Sequence, residues 1–504
     1  MRQLMHSFVG TSAPEDLLEA ISSGLVASVC LFAFNAQSPA QVRALTDRLR
    51  SAARAGGHPE LLIGIDQEGG QLIAIRGGTT ELPGNMALGA TRSATLAEQA
   101  GRVLGRELLA MGINVNFAPA LDVNINPLNP VIGSRAFGDH PDLVIELGLA
   151  MIRGLQAEGV IATAKHFPGH GDTQTDSHHA TSRVDHALER LQAVELKPFI
   201  AAMQAGVKAL MPSHLIFSAL DPDNPATLSQ RILQEFVRHE QGYQGLLITD
   251  AMDMYGVAQY GQENSLSRSL QAGADLILMG HLPHQLAMHE RLSAFANPAS
   301  EARIARIQAE LSPDLPDLSV VGCAEHQAIA QAIAEASITL VHDHAHNLPL
   351  PLGSTQSISV ITPRPQNLTP ADTSSEVNIS LADAIRRRHP NTHALQMDMT
   401  PTDSEVSALI EQCADSAWVI VGTISAEKHL EQAELVRALQ ARGKRVIAVA
   451  LRTPYDLMVY PLVETYLCAY SIRDVSMEAL ARVLFGEITA QGSLPCVIPS
   501  SLVS

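Results

Sequence analysis

Val160-Ile161-Ala162-Thr163-Ala164-Lys165-His166-Phe167-Pro168-Gly169-His170-Gly171-Asp172-Thr173 changes character halfway along its length. Its first five residues are apolar and partly β-branched, too short a run for a helix, and follow Glu158-Gly159, so they predict a buried strand. The strand then opens into a Pro- and Gly-rich loop. That loop continues through Gln174-Thr175-Asp176-Ser177-His178-His179 and gathers four His, two Asp and a Lys. So many ionisable groups are not buried cheaply unless they face a solvated cleft or one another. A rigid strand handing charged side chains to a loop is a common way of presenting functional residues.

Three readings of the stretch stay open on residue types alone. The polar groups can be catalytic. The spacing of His166, His170, Asp172, Asp176 and His178 also suits a metal cluster. The plainest alternative is a scaffold of side chains that hydrogen-bond the loop into shape. His170 and Asp172, flanked by Gly169 and Gly171, fit that scaffold role best.

Working outward, the same rhythm fills residues 1–300. Short apolar runs at 7–10, 26–32, 61–66, 114–120, 160–166, 209–215, 246–250 and 275–280 alternate with amphipathic stretches such as 94–111, 142–158, 188–206 and 228–241. Eight βα units in about 290 residues predict a closed (β/α)8 barrel of the TIM type, in preference to an open doubly wound sheet. Active sites of such barrels lie at the C-terminal strand ends. Asn35, Asp66, Asp122, Lys165 with His166, His214 and Asp250 all follow apolar runs, which predicts one shared polar pocket.

The expected boundaries are a barrel over 1–298, a helical connector over 299–340 and a smaller α/β sandwich over 341–504. In the last region apolar runs at 359–362, 394–397, 418–421, 446–451 and 465–470 predict five strands of an open parallel sheet, flavodoxin-like in scale. The polar run His342–His346 reads as solvated linker, although two of its histidines could ligate a metal. No G-x-G-x-x-G or phosphate-binding loop supports a nucleotide.

Composition narrows the function. The 504 residues carry 52 acidic and 34 basic side chains, a balance that disfavours nucleic acid or an anionic membrane as partner. Five cysteines without a C-x-x-C pair read as reduced thiols. No secretory leader and no apolar run of about 18 residues is expected, which predicts a cytoplasmic protein.

The run Lys165–Thr173 followed by Asp176-Ser177-His178 resembles the signature of glycoside hydrolase family 3, and its ending resembles the β-N-acetylglucosaminidase branch. Thr453-Pro454-Tyr455-Asp456 and Gly492-Ser493-Leu494-Pro495 resemble elements of that family's second domain. The resemblance implies that Asp250, in Thr249-Asp250-Ala251-Met252-Asp253, is the nucleophile; Asp253 reads as a helix-start residue. It implies that His178 is the acid/base, held by Asp176, and that Asp66, Arg135, Lys165 and His166 clamp sugar hydroxyls, with Glu68 bracing the loop. Gln71 and Ala74 depart from the family, which often carries basic residues after the Gly69-Gly70 pair.

The expectation is therefore an exo-acting, retaining β-N-acetylglucosaminidase acting on a carbohydrate substrate. It works by double displacement and needs neither metal nor organic cofactor. Its substrate, by resemblance, is a cell-wall muropeptide or related glycan. Rival readings are phosphorolysis by the same site, another family 3 β-glycosidase, a metal-dependent barrel hydrolase, and a catalytically silent sugar-binding protein.

Overall fold

A computed structural model describes residues 1–173 and 182–500. Its first half is built on eight short parallel strands: β1 (Leu4–Met5), β2 (Ser28–Cys30), β3 (Leu62–Ile65), β4 (Val115–Asn116), β5 (Ile161–Phe167), β6 (Ala209–Pro212), β7 (Leu246–Leu247) and β8 (Ile277–Leu278). Strands β2 to β7 form one sheet and β1 pairs with β8. Single parallel bridges, His6 to Val29 and Ile248 to Leu276, join the two pieces into a ring. The curled sheet thus closes, and each strand is followed by helix.

The helices bury one face each. The helix Pro141–Ala157 starts on proline and turns Val144, Leu147, Met151 and Leu155 inward. It crosses the helix Ala94–Ala110 at two glycines: a Cβ on Gly154 would sit 2.2 Å from the Glu98 carbonyl oxygen. Glycine is needed there for the close approach of two backbones.

Two sequence expectations in the barrel are corrected. The first strand is Leu4–Met5, and residues 7–10 lie in the loop after it. The stretch 188–206 is two helices, Leu188–Ala193 and Lys197–Gln204. Pro198 lacks an N–H and is accommodated in the first turn of the second helix, so the periodic pattern is interrupted ahead of it.

The second half contains β9 (Thr339–Asp343), β10 (Ile358–Pro363), β11 (Thr392–Met397), β12 (Trp418–Thr423), β13 (Val446–Ala450) and β14 (Thr465–Cys468), in the spatial order β9-β14-β13-β12-β10-β11. The sheet is not purely parallel: β9 runs antiparallel to β14 at one edge. The sequence hid this sixth strand because its apolar residues run at once into His342 and Asp343, as suits an edge strand with only its first residue buried. His342, expected in a linker, is part of this strand, and its Nε2 meets the Val463 carbonyl at 2.7 Å.

The connecting helix Ala324–Ser337 serves both halves. Ala330 and Ile333 pack into the barrel's hydrophobic cluster, and Ala334 packs into that of the second sheet. Among the described residues, no helix is long and apolar enough to cross a membrane.

Candidate active site

The C-terminal strand ends converge on a cavity of about 470 Å³. Asp66, Arg135, Lys165, His166 and Asp250, all anticipated from the sequence, line it. Consecutive residues of a strand normally point to opposite faces. Here the pairing of β5 with β6 shifts register between Lys165 and Phe167, and both Lys165 and His166 reach the cavity.

The polar floor is a chain of charge pairs. Lys165 Nζ lies 2.5 Å from Asp66 Oδ1 and 2.6 Å from Glu68 Oε1. Arg135 grips Glu68 with two parallel hydrogen bonds, Nη2 to Oε1 at 2.7 Å and Nε to Oε2 at 3.0 Å. Glu68, expected to brace its loop, ties the two cations together, while Asp66 remains partly open to the cavity. Burial disfavours the charged Glu68, but Arg135 and Lys165 more than offset it and hold its carboxyl well below the usual range. The Lys165 ammonium is likewise disfavoured by burial, yet Asp66 and Glu68 hold its pKa above the ordinary value.

His166 is set from behind. Its Nδ1 lies 2.8 Å from Asp122 Oδ2, and Arg135 Nη2 stands 3.4 Å from its Nε2. Asp122 also accepts the backbone N–H of His170 at 2.6 Å. Burial would raise the Asp122 carboxyl, but the adjoining His166 ring and the hydrogen bonds the carboxylate accepts hold it below the ordinary value. Asp122 was legible only as a strand-end residue, and its role in orienting His166 emerges from the geometry.

The histidine-rich loop has separate partners for its described members. His170 Nδ1 meets Thr173 Oγ1 at 2.8 Å, and His186 Nε2 meets Asp172 Oδ2 at 2.7 Å. A Cβ on Gly171 would lie 1.7 Å from the Val123 carbonyl oxygen, so the loop packs directly on the β4 side of the barrel. His166, His170 and Asp172 thus act in the scaffold and in the pocket wall. Asp176 and His178 lie outside the described residues.

Asp250 follows β7 and its Oδ1 accepts the Ala251 backbone N–H at 2.8 Å. His214 braces this end of the pocket, with Nε2 2.9 Å from the Ala251 carbonyl oxygen. Asp253 lines the same cavity but is engaged elsewhere: its Oδ2 accepts from the His281 backbone N–H at 2.9 Å and lies 2.9 Å from the same residue's Nδ1.

Two parts of the cavity had no sequence signal. Phe32, Phe34 and His281 form an aromatic cluster beside it. A turn of the second domain, Pro370, Ala371 and Thr373, supplies another stretch of wall. It rests on Gln71 and Ile73, next to the position where Gln71 and Ala74 break the family pattern.

Comparison with known proteins agrees with this architecture. Residues 2–309 match the glycosyl hydrolase family 3 N-terminal domain and residues 338–504 match the family 3 C-terminal domain. A protein of Pseudoalteromonas piscicida named beta-hexosaminidase A is 32% identical, over 97% of this chain and 92% of its own length. A beta-hexosaminidase of Nitrosomonas eutropha is 38% identical over 56% of this chain and 81% of its own. The solved family 3 beta-N-acetylglucosaminidase of Paenibacillus sp. str. FPU-7 superposes with a TM-score of 0.91 at 35% identity, covering 100% of this chain and 98% of that one. With both halves matched and the polar cavity at the strand ends, the chain belongs to glycoside hydrolase family 3 and is a glycoside hydrolase.

Proposed function

We propose that the protein is a retaining, exo-acting β-N-acetylglucosaminidase. The observation that carries the reading is one cavity lined by Asp250 together with part-exposed Asp66 and buried Arg135, Lys165 and His166. The names of its full-length relatives support the sugar.

Asp66 and Lys165 engage hydroxyls of the terminal sugar, and Arg135 and His166 complete the clamp. Asp250 attacks the anomeric carbon and forms a glycosyl ester. The bond to the leaving-group oxygen breaks as His178, oriented by Asp176, donates its proton. A water then gives its proton to neutral His178 and attacks the same carbon, releasing the sugar and free Asp250. An imidazole titrating near neutrality suits both duties. The natural substrate on this reading is a muropeptide or related cell-wall glycan. The cytoplasm is its compartment, supported by the five free cysteines.

The test is release of nitrophenol from nitrophenyl β-N-acetylglucosaminide, set against the β-glucoside and β-galactoside. Retention is checked by nuclear magnetic resonance of the first-formed anomer. Preference for a glucoside, or an inverted product, overturns the proposal.

A further inference from the structure

The cavity has two chemically distinct ends. Arg135, Lys165 and His166 at its floor are 4%, 1% and 6% exposed. At its mouth Phe34 is 43% exposed, although an aromatic ring is costly to leave against water. Phe34 stacks on Phe32 with ring centroids 5.4 Å apart, and Phe32 lies 4.7 Å from the His281 ring. His281 is in turn fixed by Asp253.

Exposed Pro370 and part-exposed Ala371 bring a second apolar surface to the same cavity, from the other domain. This turn is also anchored. The Thr373 backbone N–H donates to the Gln71 carbonyl at 2.8 Å, and its Oγ1 accepts from the Ile73 N–H at 3.2 Å. Buried Asp372 pairs with Arg452 at 3.0 Å. Both surfaces are therefore held in place before any ligand arrives, which lowers the entropy cost of binding on them.

The polar groups of these surfaces are already engaged, His281 with Asp253 and Thr373 with Gln71 and Ile73, while the floor supplies the charged partners that sugar hydroxyls need. Aromatic and Pro/Ala surfaces suit the C–H faces of a ring. We propose that Phe34, together with Pro370 and Ala371, forms the leaving-group subsite, and that it favours a pyranose over a small alkyl group. The second domain thereby shapes substrate choice. This inference rests on the proposed activity.

The test compares kcat/KM for a β-1,4-linked N-acetylglucosamine disaccharide with that for methyl β-N-acetylglucosaminide. Remote binding contacts are spent in the transition state, so the ratio of the two reads the subsite. Phe34→Ala is expected to lower the disaccharide-to-methyl ratio about tenfold. Phe34→Trp is expected to restore it, and Pro370→Gly to lower it several-fold. An unchanged ratio in Phe34→Ala, or in Pro370→Gly, overturns the composite subsite while leaving the activity standing. A wild-type enzyme that cleaves neither glycoside overturns the activity reading, and the subsite with it.

Discussion

Asp122 holds His166 by ring and backbone together: its Oδ2 lies 2.8 Å from the imidazole Nδ1 and 3.2 Å from the His166 backbone nitrogen. With Nδ1–H donating to the carboxylate, Nε2 is left as an acceptor beside Arg135. Asp122→Asn keeps the shape and removes the charge that fixes this tautomer. The expected result is a loss of about 10–100-fold in kcat/KM, the worth of a charged hydrogen bond. It should appear mainly in KM. A change confined to kcat would assign His166 to the chemistry instead of the clamp.

Of the described carboxylates that line the cavity, Asp66 pairs with Lys165, Asp253 pairs with His281, and Asp250 stands just past the end of β7. Asp250→Asn is expected to leave the fold intact and nearly abolish turnover, since the amide cannot form the glycosyl ester. A fluorosugar inactivator should label Asp250, as peptide mass mapping would show. A label on Asp253 or Asp66 moves the nucleophile.

His178→Ala separates proton donation from sugar binding. General acid catalysis typically contributes about 10²–10⁴ in rate, and a nitrophenol departs without it. Sugar and alkyl leaving groups should therefore suffer heavily. Formation of the glycosyl-enzyme from a nitrophenyl glycoside should survive, with its hydrolysis becoming rate-limiting. Asp176→Ala should show the same pattern more mildly. Equal losses for every leaving group in pre-steady-state kinetics would send the search for the acid into the second domain.

The reading of the histidine-rich loop as acid/base and scaffold carries an expectation about metals. Dialysis against a chelator should leave kcat/KM unchanged, and elemental analysis should find no stoichiometric transition metal. Activity that disappears on stripping and returns with added zinc or manganese would restore the metal-hydrolase alternative. The same preparation assayed with added phosphate should yield free sugar and no sugar phosphate.

Away from the cavity, His6 and His289 are stacked in the barrel with their Nε2 atoms 2.8 Å apart. Burial and the neighbouring ring push His6 down to about 3, and burial first pushes His289 down to about 4. The folded state keeps both neutral while the unfolded chain takes up protons below about 6.5. Their stabilising contribution is thus fully present above that pH. It is lost as pH falls toward 4, by at most about 1.4 kcal/mol per pH unit for each histidine. In urea titrations between about pH 7 and 4.5, His6→Gln should flatten the pH dependence of stability. A slope equal to that of wild type would show that other groups dominate.

Much of the barrel was legible because its strands are buried on both faces and read as apolar runs, as in residues 160–164. The shared polar pocket was legible because Asp66, Lys165 and His166 stand at the ends of such runs. β9 was not, since a half-exposed edge strand carries His342 and Asp343 and looks like a loop. Phe34 and Pro370 were invisible for another reason. They reach the cavity from residues far apart in sequence, and contacts such as the hydrogen bonds of Thr373 to Gln71 and Ile73 reveal that the second domain is present there.

The helix Ala324–Ser337 buries Ala330 and Ile333 in one core and Ala334 in the other, and Thr373 bonds the backbone of Gln71 and Ile73 from across the seam. Such a chain is not severable. A cut after residue 298 would strip an apolar face from the barrel and leave the Gln71 and Ile73 backbone groups without their partners. The isolated N-terminal half should therefore be sticky and readily digested, while the intact chain should resist limited proteolysis at its connector and yield no stable barrel fragment. Loss of the second half in a descendant lineage would demand new polar residues along that helix's docking face before it could be tolerated.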